Sequence, residues 1–595
     1  MKTLFNYLKK YKKESMLAPI FKLLEVVFDL IVPIVVASII DKGVANGDNG
    51  YIVKGFLMLL IMALMGLLSS FTAQFFAAKA STFFAADLRQ AVFDRIQKFS
   101  FSKLDDLSAD TLITRLTTDI NQVQNGLNMG LRLLLRSPFI VVGATVMAFC
   151  VNVKCAIIFA ASAPVLFAVI YFIMIISIPL YKKVQISLDN ITRITRENLT
   201  GMRVIRAFCR EKDFTDEFKE GNDEVTRLNI FVGKISALLN PLTYVLINIA
   251  TVLLLKRASV QVNTGNMAQG EVVALYNYMM QIIIELIKLA ALIITINKSI
   301  ACARRVESVL KTEPGMEYKK ESILNEGRQK ENQNGGSKIE FKNVSFTYDG
   351  AGAPSISDIS FSIKKGECVG IIGGTGSGKS TLAHLAARFY DADKGEILID
   401  GANIKNYSKS EINKKVSVVL QKPVLFSQSV RDNLKWGDKN ADDASLWKAL
   451  EIAQAKDVVM SKKGQLDFLI EQNGKNLSGG QRQRIAIARS LLKKSEILIF
   501  DDSLSALDYA TDAALREALK KNLSDTTTVF ITQRISGIID ADTILVMDNG
   551  RIAGKGTHEY LLKNCEVYRE IYYSQFPDDK GNEKSENAFS GGGAN

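Results

Sequence analysis

The sequence predicts an all-α domain of six transmembrane helices followed by an α/β P-loop domain. Three observations carry that expectation. Six apolar segments, near residues 17–41, 52–80, 131–152, 155–180, 232–256 and 271–299, reach the length of about 20 residues that a helix needs to cross a bilayer. The links after the first, third and fifth segments are short, whereas those after the second and fourth run to roughly 50 residues and are rich in Arg and Lys. A glycine-rich loop, Gly373-Gly374-Thr375-Gly376-Ser377-Gly378-Lys379-Ser380, follows the apolar strand Cys368-Val369-Gly370-Ile371-Ile372 and opens the helix Thr381-Leu382-Ala383-His384-Leu385.

The average composition of the 595 residues hides two unlike parts. Residues 1–312 hold the apolar segments, and residues 338–575 read as a soluble α/β domain. Residues 313–337 read as a linker, polar from Asn325 to Lys338. The charged stretch 576–595, ending in Ser590-Gly591-Gly592-Gly593 before the last residues, reads as a disordered tail. Between Met1 and Lys13, basic and apolar side chains interleave with no small-residue cleavage site. That predicts an amphipathic helix on the inner leaflet rather than a cleaved signal.

Arg89, Arg95, Lys98, Lys103 and Arg115 lie in the first long loop, and Lys182, Lys183, Arg193, Arg196, Arg203, Arg206, Arg210 and Lys212 in the second. The positive-inside rule makes both loops cytoplasmic, and with them both termini of a multi-pass membrane protein; a bacterial plasma membrane is the expected location. Much of the net charge of +12 therefore sits beside apolar spans, so a lipid bilayer rather than nucleic acid is the partner it implies. Lys256 and Arg257, near the outer end of the fifth span, run against the rule and read as snorkelling or facing a cavity. The six Cys residues show no metal-ligand spacing; Cys150 and Cys155 flank a short outer turn, and their pairing stays open.

The glycine-rich loop carries the clearest chemistry. Its glycines let backbone N–H groups converge on phosphate oxygens, and the following helix N-terminus adds positive potential. Lys379 supplies a point charge to the outer phosphates, and the Ser380 hydroxyl suits Mg²⁺. Upstream, Tyr348 is placed to stack on a nucleotide base. Val416-Ser417-Val418-Val419-Leu420-Gln421 is a strand ending in an amide that can reach a metal or water. Leu477-Ser478-Gly479-Gly480-Gln481 opens a helix at Ile485-Ala486-Ile487-Ala488-Arg489, a second anion site. The apolar run Ile497-Leu498-Ile499-Phe500 ends in Asp501-Asp502. ATP and Mg²⁺ are the expected cofactors, with Ser380, Gln421 and Asp501 as metal candidates.

As an ordered set, Tyr348, the loop Gly373–Ser380 with Thr381, Gln421, Ser478–Gln481, Asp501 and the segment Ser505-Ala506-Leu507-Asp508 resemble a subunit of an ATP-binding cassette exporter, and the resemblance runs from about residue 15 to 575. It implies two such subunits paired head to tail, with each ATP held between one subunit's phosphate loop and the other's Ser-Gly-Gly segment. The stretches 112–119 and 197–208 resemble the family's coupling elements.

Two positions depart from that family pattern. The residue after the Mg²⁺-associated Asp is usually Glu, which polarises the attacking water; here it is Asp502, shorter by one methylene, or about 1.5 Å of reach. A general base needs contact of about 2.6–3.2 Å, so hydrolysis should slow while ATP binding survives. The switch position usually holds His; here it is Gln533, which can donate a hydrogen bond but cannot carry a proton. Neutral drift is the bland reading. Because both changes fall on one catalytic step and the binding motifs are intact, they resemble the degenerate-site subunit of heterodimeric exporters.

In the sixth span, Asn277, Gln281, Glu285 and Lys288 are candidates to face a small amphipathic substrate such as a drug, lipid or peptide. Glu285 and Lys288, at i and i+3, can instead pair with each other. Glu25 and Asp29 in the first span are expected to bond to neighbouring helices. Three alternatives to a heterodimeric exporter stay open: a slow homodimeric exporter, an importer on the same fold, and an ATP-gated regulatory subunit.

Overall fold

The structure, a computed structural model, describes residues 2–319 and 336–577. Most of the linker expected over 313–337 and nearly all of the tail expected over 576–595 lie outside the described residues. The chain divides into two compact units, Met1–Gln97 with Asp110–Thr312, and Lys98–Ala109 with Glu313–Asn595.

The first unit is all helix. A short helix α1 (Lys2–Lys9) precedes α2 (Lys12–Ser38), which runs on through a π-helical turn, Ile39–Val44. Asp48 then caps α3 (Asn49–Ile96), accepting from the Tyr51 amide at 3.0 Å. The short helix α4 (Phe101–Leu107) belongs to the second unit. The chain returns through α5 (Ala109–Thr114), a π-helical turn at Arg115–Asp119, α6 (Ile120–Leu133) and α7 (Arg136–Val151). Asn152 is extended; it ends α7 and caps α8 (Val153–Ala207), accepting from the Cys155 amide at 3.2 Å. Then come α9 (Glu211–Ala237), α10 (Leu239–Asn263) and α11 (Gln269–Lys311). Among the described residues, six helical stretches are long and apolar enough to cross a membrane. Apolar side chains such as Leu67 and Phe71 of α3 stay exposed, as a lipid-facing surface requires. Cys150 and Cys155 are both free thiols.

The second unit holds two sheets. β1 (Ser337–Phe346), β2 (Ile356–Lys364), β4 (Lys394–Ile399) and β5 (Ala402–Asn403) form an antiparallel sheet in the order β2-β1-β4-β5. The other sheet runs β10-β9-β3-β8-β7-β6, built from β3 (Cys368–Gly373), β6 (Val416–Val419), β7 (Ile497–Asp501), β8 (Thr527–Ile531), β9 (Thr543–Asp548) and β10 (Arg551–Gly556). Its strands are parallel except β10. Every residue of β7 and β8 is buried, the mark of parallel strands covered on both faces. This register brings the carboxyl ends of β3, β8, β7 and β6 to one edge of the sheet, where open α/β folds bind ligands.

Candidate nucleotide site

Four strand ends build the site. After β3 the glycine-rich loop runs into the helix Lys379–Ala386. Gly376 and Gly378 have φ of 81° and 93°, a left-handed backbone that costs glycine little. A Cβ on Gly373 would stand 2.1 Å from the Met547 carbonyl, whereas at Gly374 and Gly376 it would meet nothing within 4 Å. The loop is thus tight against the sheet on one side and open on the other, where backbone amides can approach phosphate.

Lys379 lies buried beneath that loop. Its Nζ donates to the carbonyls of Gly373 (3.0 Å) and Gly374 (2.5 Å) and to Ser377 Oγ (3.3 Å). Burial lowers its pKa, against the opposing pull of Asp502 and Asp501. Ser380 Oγ donates to Asp501 Oδ1 at 2.7 Å. Asp501, at the end of β7, is 3% exposed. Burial raises its pKa; the Ser380 hydrogen bond, His384 and Lys379 pull the other way, and Asp502 adds to the rise. A buried carboxylate held to a hydroxyl is a hard oxygen pair that fits Mg²⁺, and a cation there would favour the ionised form.

Asp502 follows in a left-handed conformation, φ 44°, its amide donating to the Ile531 carbonyl of β8 at 2.8 Å. Gln421, just past β6, donates its side-chain amide to Asp502 Oδ2 at 2.9 Å. The exposed Gln533 follows β8 by two residues. Tyr348 is half-buried, with its hydroxyl 3.4 Å from Thr381 Oγ1 and 3.3 Å from His384 Nδ1. Its ring meets Phe346 and Tyr390 edge to face, with centroids 4.9 and 5.2 Å apart.

A second group gathers around the helix Gly479–Leu492. Ser478 caps it, accepting from the Gln481 amide at 3.3 Å while Gln481 Oε1 accepts from the Ser478 amide at 3.1 Å. Ser478 and Gly479 are exposed. Gly480 backs onto the segment 505–508: a Cβ there would lie 3.2 Å from the Ala506 carbonyl. Ser505 Oγ donates to the Asp502 carbonyl at 2.8 Å, Leu507 is buried, and Asp508 caps the helix Tyr509–Asn522 through the Thr511 amide at 3.0 Å.

In the first unit, Glu285 of α11 is buried at the centre of a charge cluster. It accepts from Arg136 Nη1 at 2.9 Å, Ser137 Oγ at 2.8 Å and Lys288 Nζ at 3.0 Å. Arg136, from α7, also reaches Asp29 at 3.2 Å and Glu25 at 3.7 Å in α2. Gln281 Nε2 donates to the Asp29 carbonyl at 3.2 Å, and Asn277 is half-buried one helical turn away. A small apolar cavity of about 50 Å³ lies beside α11, lined by Phe159, Leu166, Ile247, Ala250, Met279 and Ile283.

Three contributors do not stand out in the sequence. Arg136 sits at the head of an apolar run and belongs to no motif. In α4, Phe101 meets Phe389 with ring centroids 4.6 Å apart, and Asp105 accepts from the Tyr390 hydroxyl at 2.6 Å. The segment that joins the second unit is therefore Lys98–Ala109, ahead of the stretch 112–119; the Ser100 cap on the Lys103 amide was its one local signal. Gln575, near the end of the described chain, touches the loop at Gln533.

Comparison with known proteins now places the chain. Residues 15–286 match the ABC transporter transmembrane region, and residues 356–505 match the ABC transporter domain. The chain is 34% identical over 578 residues to the ABC transporter ATP-binding protein YfiB of Bacillus subtilis, covering 97% of this chain and 99% of that one. It is 31% identical over 509 residues to an ATP-dependent lipid A-core flippase of Syntrophus aciditrophicus, covering 84% and 82% of the two chains. A solved bacterial Atm1-family ABC exporter with ATP bound has the same fold, with a TM-score of 0.77 at 23% identity over 95% of this chain and 98% of that one. Half-transporters of this kind act as dimers within a lipid bilayer. With both parts matched in order and relatives alike over nearly their whole length, the chain belongs to the ABC transporter family, as a multi-pass half-transporter of the exporter fold whose ATP-binding domain couples hydrolysis to transport.

Proposed function

We propose that this chain is the degenerate-site half of a heterodimeric exporter. The observation that carries the reading is the pairing of a short carboxylate with its neighbour: Asp502 Oδ2 accepts the Gln421 amide at 2.9 Å, and Gln533 replaces an imidazole on the switch loop. The phosphate loop and Lys379 bind the triphosphate. Ser380 and Asp501 would hold Mg²⁺, with Gln421, bonded to the adjacent Asp502, as a further candidate; the ion when bound neutralises phosphate charge. Asp502 stands about one methylene short of a water that a Glu would polarise, and Gln533 offers a hydrogen bond without a proton to move. ATP is therefore held and turned over slowly. The exposed Ser478 and Gly479 complete the partner's site, where the partner supplies the Glu and His.

The cargo is an amphipathic drug, lipid or peptide moved out of the cytoplasm. The adaptable wall of Met279 and its apolar neighbours supports such a substrate, and the similarity to proteins named as lipid A-core flippases favours a lipid-like one. Arg- and Lys-rich segments beside the spans support both termini in the cytoplasm, and the bacterial relatives support a bacterial plasma membrane.

Reconstitution in liposomes tests the pairing. The chain alone should hydrolyse ATP slowly, and co-reconstitution with a second subunit carrying Glu and His should raise the rate by about 10²-fold or more, the share a positioned base contributes. Full transport by the chain alone would overturn the proposal.

A further inference from the structure

Gln575 closes the C-terminal helix Glu566–Gln575 and reaches back to the switch loop with both ends of its amide. Its Oε1 accepts from the Ile535 amide at 2.9 Å, and its Nε2 donates to the Gln533 carbonyl at 2.7 Å. The Ile535 amide opens the 3₁₀ turn Ile535–Gly537, so without Gln575 it is an orphan donor at a helix start.

The helix that carries Gln575 is firmly seated. Tyr568 is fully buried, with its hydroxyl 2.8 Å from His558 Nδ1. Tyr572 meets Phe576 and His558 with ring centroids 5.0 and 5.5 Å apart. The switch loop in turn grips the next segment: Arg534 Nη2 donates to the Ser505 carbonyl at 3.2 Å and Nη1 to the Leu507 carbonyl at 3.5 Å. That segment backs onto Gly480 through the Ala506 carbonyl and onto Asp502 through Ser505 Oγ.

We infer that Gln575 is a positioning residue for ATP hydrolysis, a two-point clasp that sets the backbone of the switch loop and, through Arg534, the segment 505–508 and the start of the Ser478-capped helix. It touches neither nucleotide nor metal. Its effect is on the geometry of two edges at once: the residue at 533, next to Thr532, whose amide donates at 3.1 Å to the Ile371 carbonyl of the strand leading into the phosphate loop, and the Ser-Gly-Gly segment. The inference rests on the family's hydrolysis, not on the division of labour proposed above, because the clasp serves one edge or the other in either case. The side chain is exposed, so its loss leaves no cavity in the core.

The test is Gln575→Ala in the full-length assembled transporter. Loss of hydrogen bonds of ordinary strength predicts a fall in kcat for ATP of about three- to tenfold. KM for ATP stays unchanged, amide exchange across 532–538 rises, and the melting temperature is unaltered. An unchanged kcat, or a loss that appears only together with a lowered melting temperature, overturns the inference. The same change in an Asp502→Ala background separates the two readings. If Asp502→Ala alone abolishes turnover, the division of labour falls, while Gln575→Ala in the otherwise native transporter still decides the clasp.

Discussion

The Gln421 side-chain amide donates to Asp502 Oδ2 at 2.9 Å, joining the end of β6 to the end of β7 across the candidate nucleotide site. Asp502 adopts a left-handed backbone with φ 44°, so its short side chain is aimed by the turn as well as by the amide. Lengthening it restores the reach the family uses. Asp502→Glu combined with Gln533→His should raise turnover at this site by about 10²-fold, the lower end of what a positioned general base contributes. Single-turnover phosphate release measures this.

Arg136 of α7 holds Glu285 of α11 and both Asp29 and Glu25 of α2, joining three helices within the membrane unit. Removing one partner of a buried pair is costlier than the pair is worth, because the other charge is left behind. Arg136→Leu should destabilise the protein by about 3 kcal/mol, the low end of that range, since Lys288 and Ser137 still bond Glu285. Thermal unfolding in detergent checks it. Arg136→Leu with Glu285→Gln should lose less than the sum of the two single changes.

The Tyr390 hydroxyl donates to Asp105 of α4 at 2.6 Å, and the Tyr390 ring also meets Tyr348. Burial first, then Asp105, pushes the Tyr390 pKa up, so it remains a donor across the working pH range. α4 lies between two spans in the chain, and its loss of grip should show in transport. Asp105→Ala should lower substrate flux in vesicles by about tenfold or more, the size of one hydrogen bond to a charged group, with ATP hydrolysis persisting.

Both histidines of the chain, His384 and His558, have a pKa lowered chiefly by burial. Unfolded imidazole takes up its proton near pH 6.5, the folded rings only at lower pH. Below about pH 6.5 the unfolded state therefore binds more protons, and stability falls as pH falls toward the depressed folded values. Melting of the ATP-binding domain followed from pH 7.5 to 5.5 should shift downward, and His558→Gln should flatten part of that slope.

The six spans were legible because each is a long apolar run with polar punctuation, as at Asp48 and Asn152, whose side chains cap α3 and α8. The phosphate loop was legible because glycines, Lys379 and Ser380 must stand together in sequence to stand together in space. Arg136 with Glu285, 149 residues apart, had no such local signature. Nor did Gln575 with Gln533, brought together by the seating of the C-terminal helix. Pairwise contacts of that kind come from tertiary packing, which single-sequence periodicity does not encode. The sixth span shows the same limit: polar residues were visible there, but their partners on α2 and α7 were not.

Total ATP hydrolysis by the assembled transporter carrying Asp502→Ala tests the division of labour most directly. The account predicts a rate within about twofold of the native complex, because a carboxylate one methylene too short contributes little to the base role, together with ATP retained at this chain's phosphate loop. Collapse of total hydrolysis would contradict it and make Asp502 a working catalytic base.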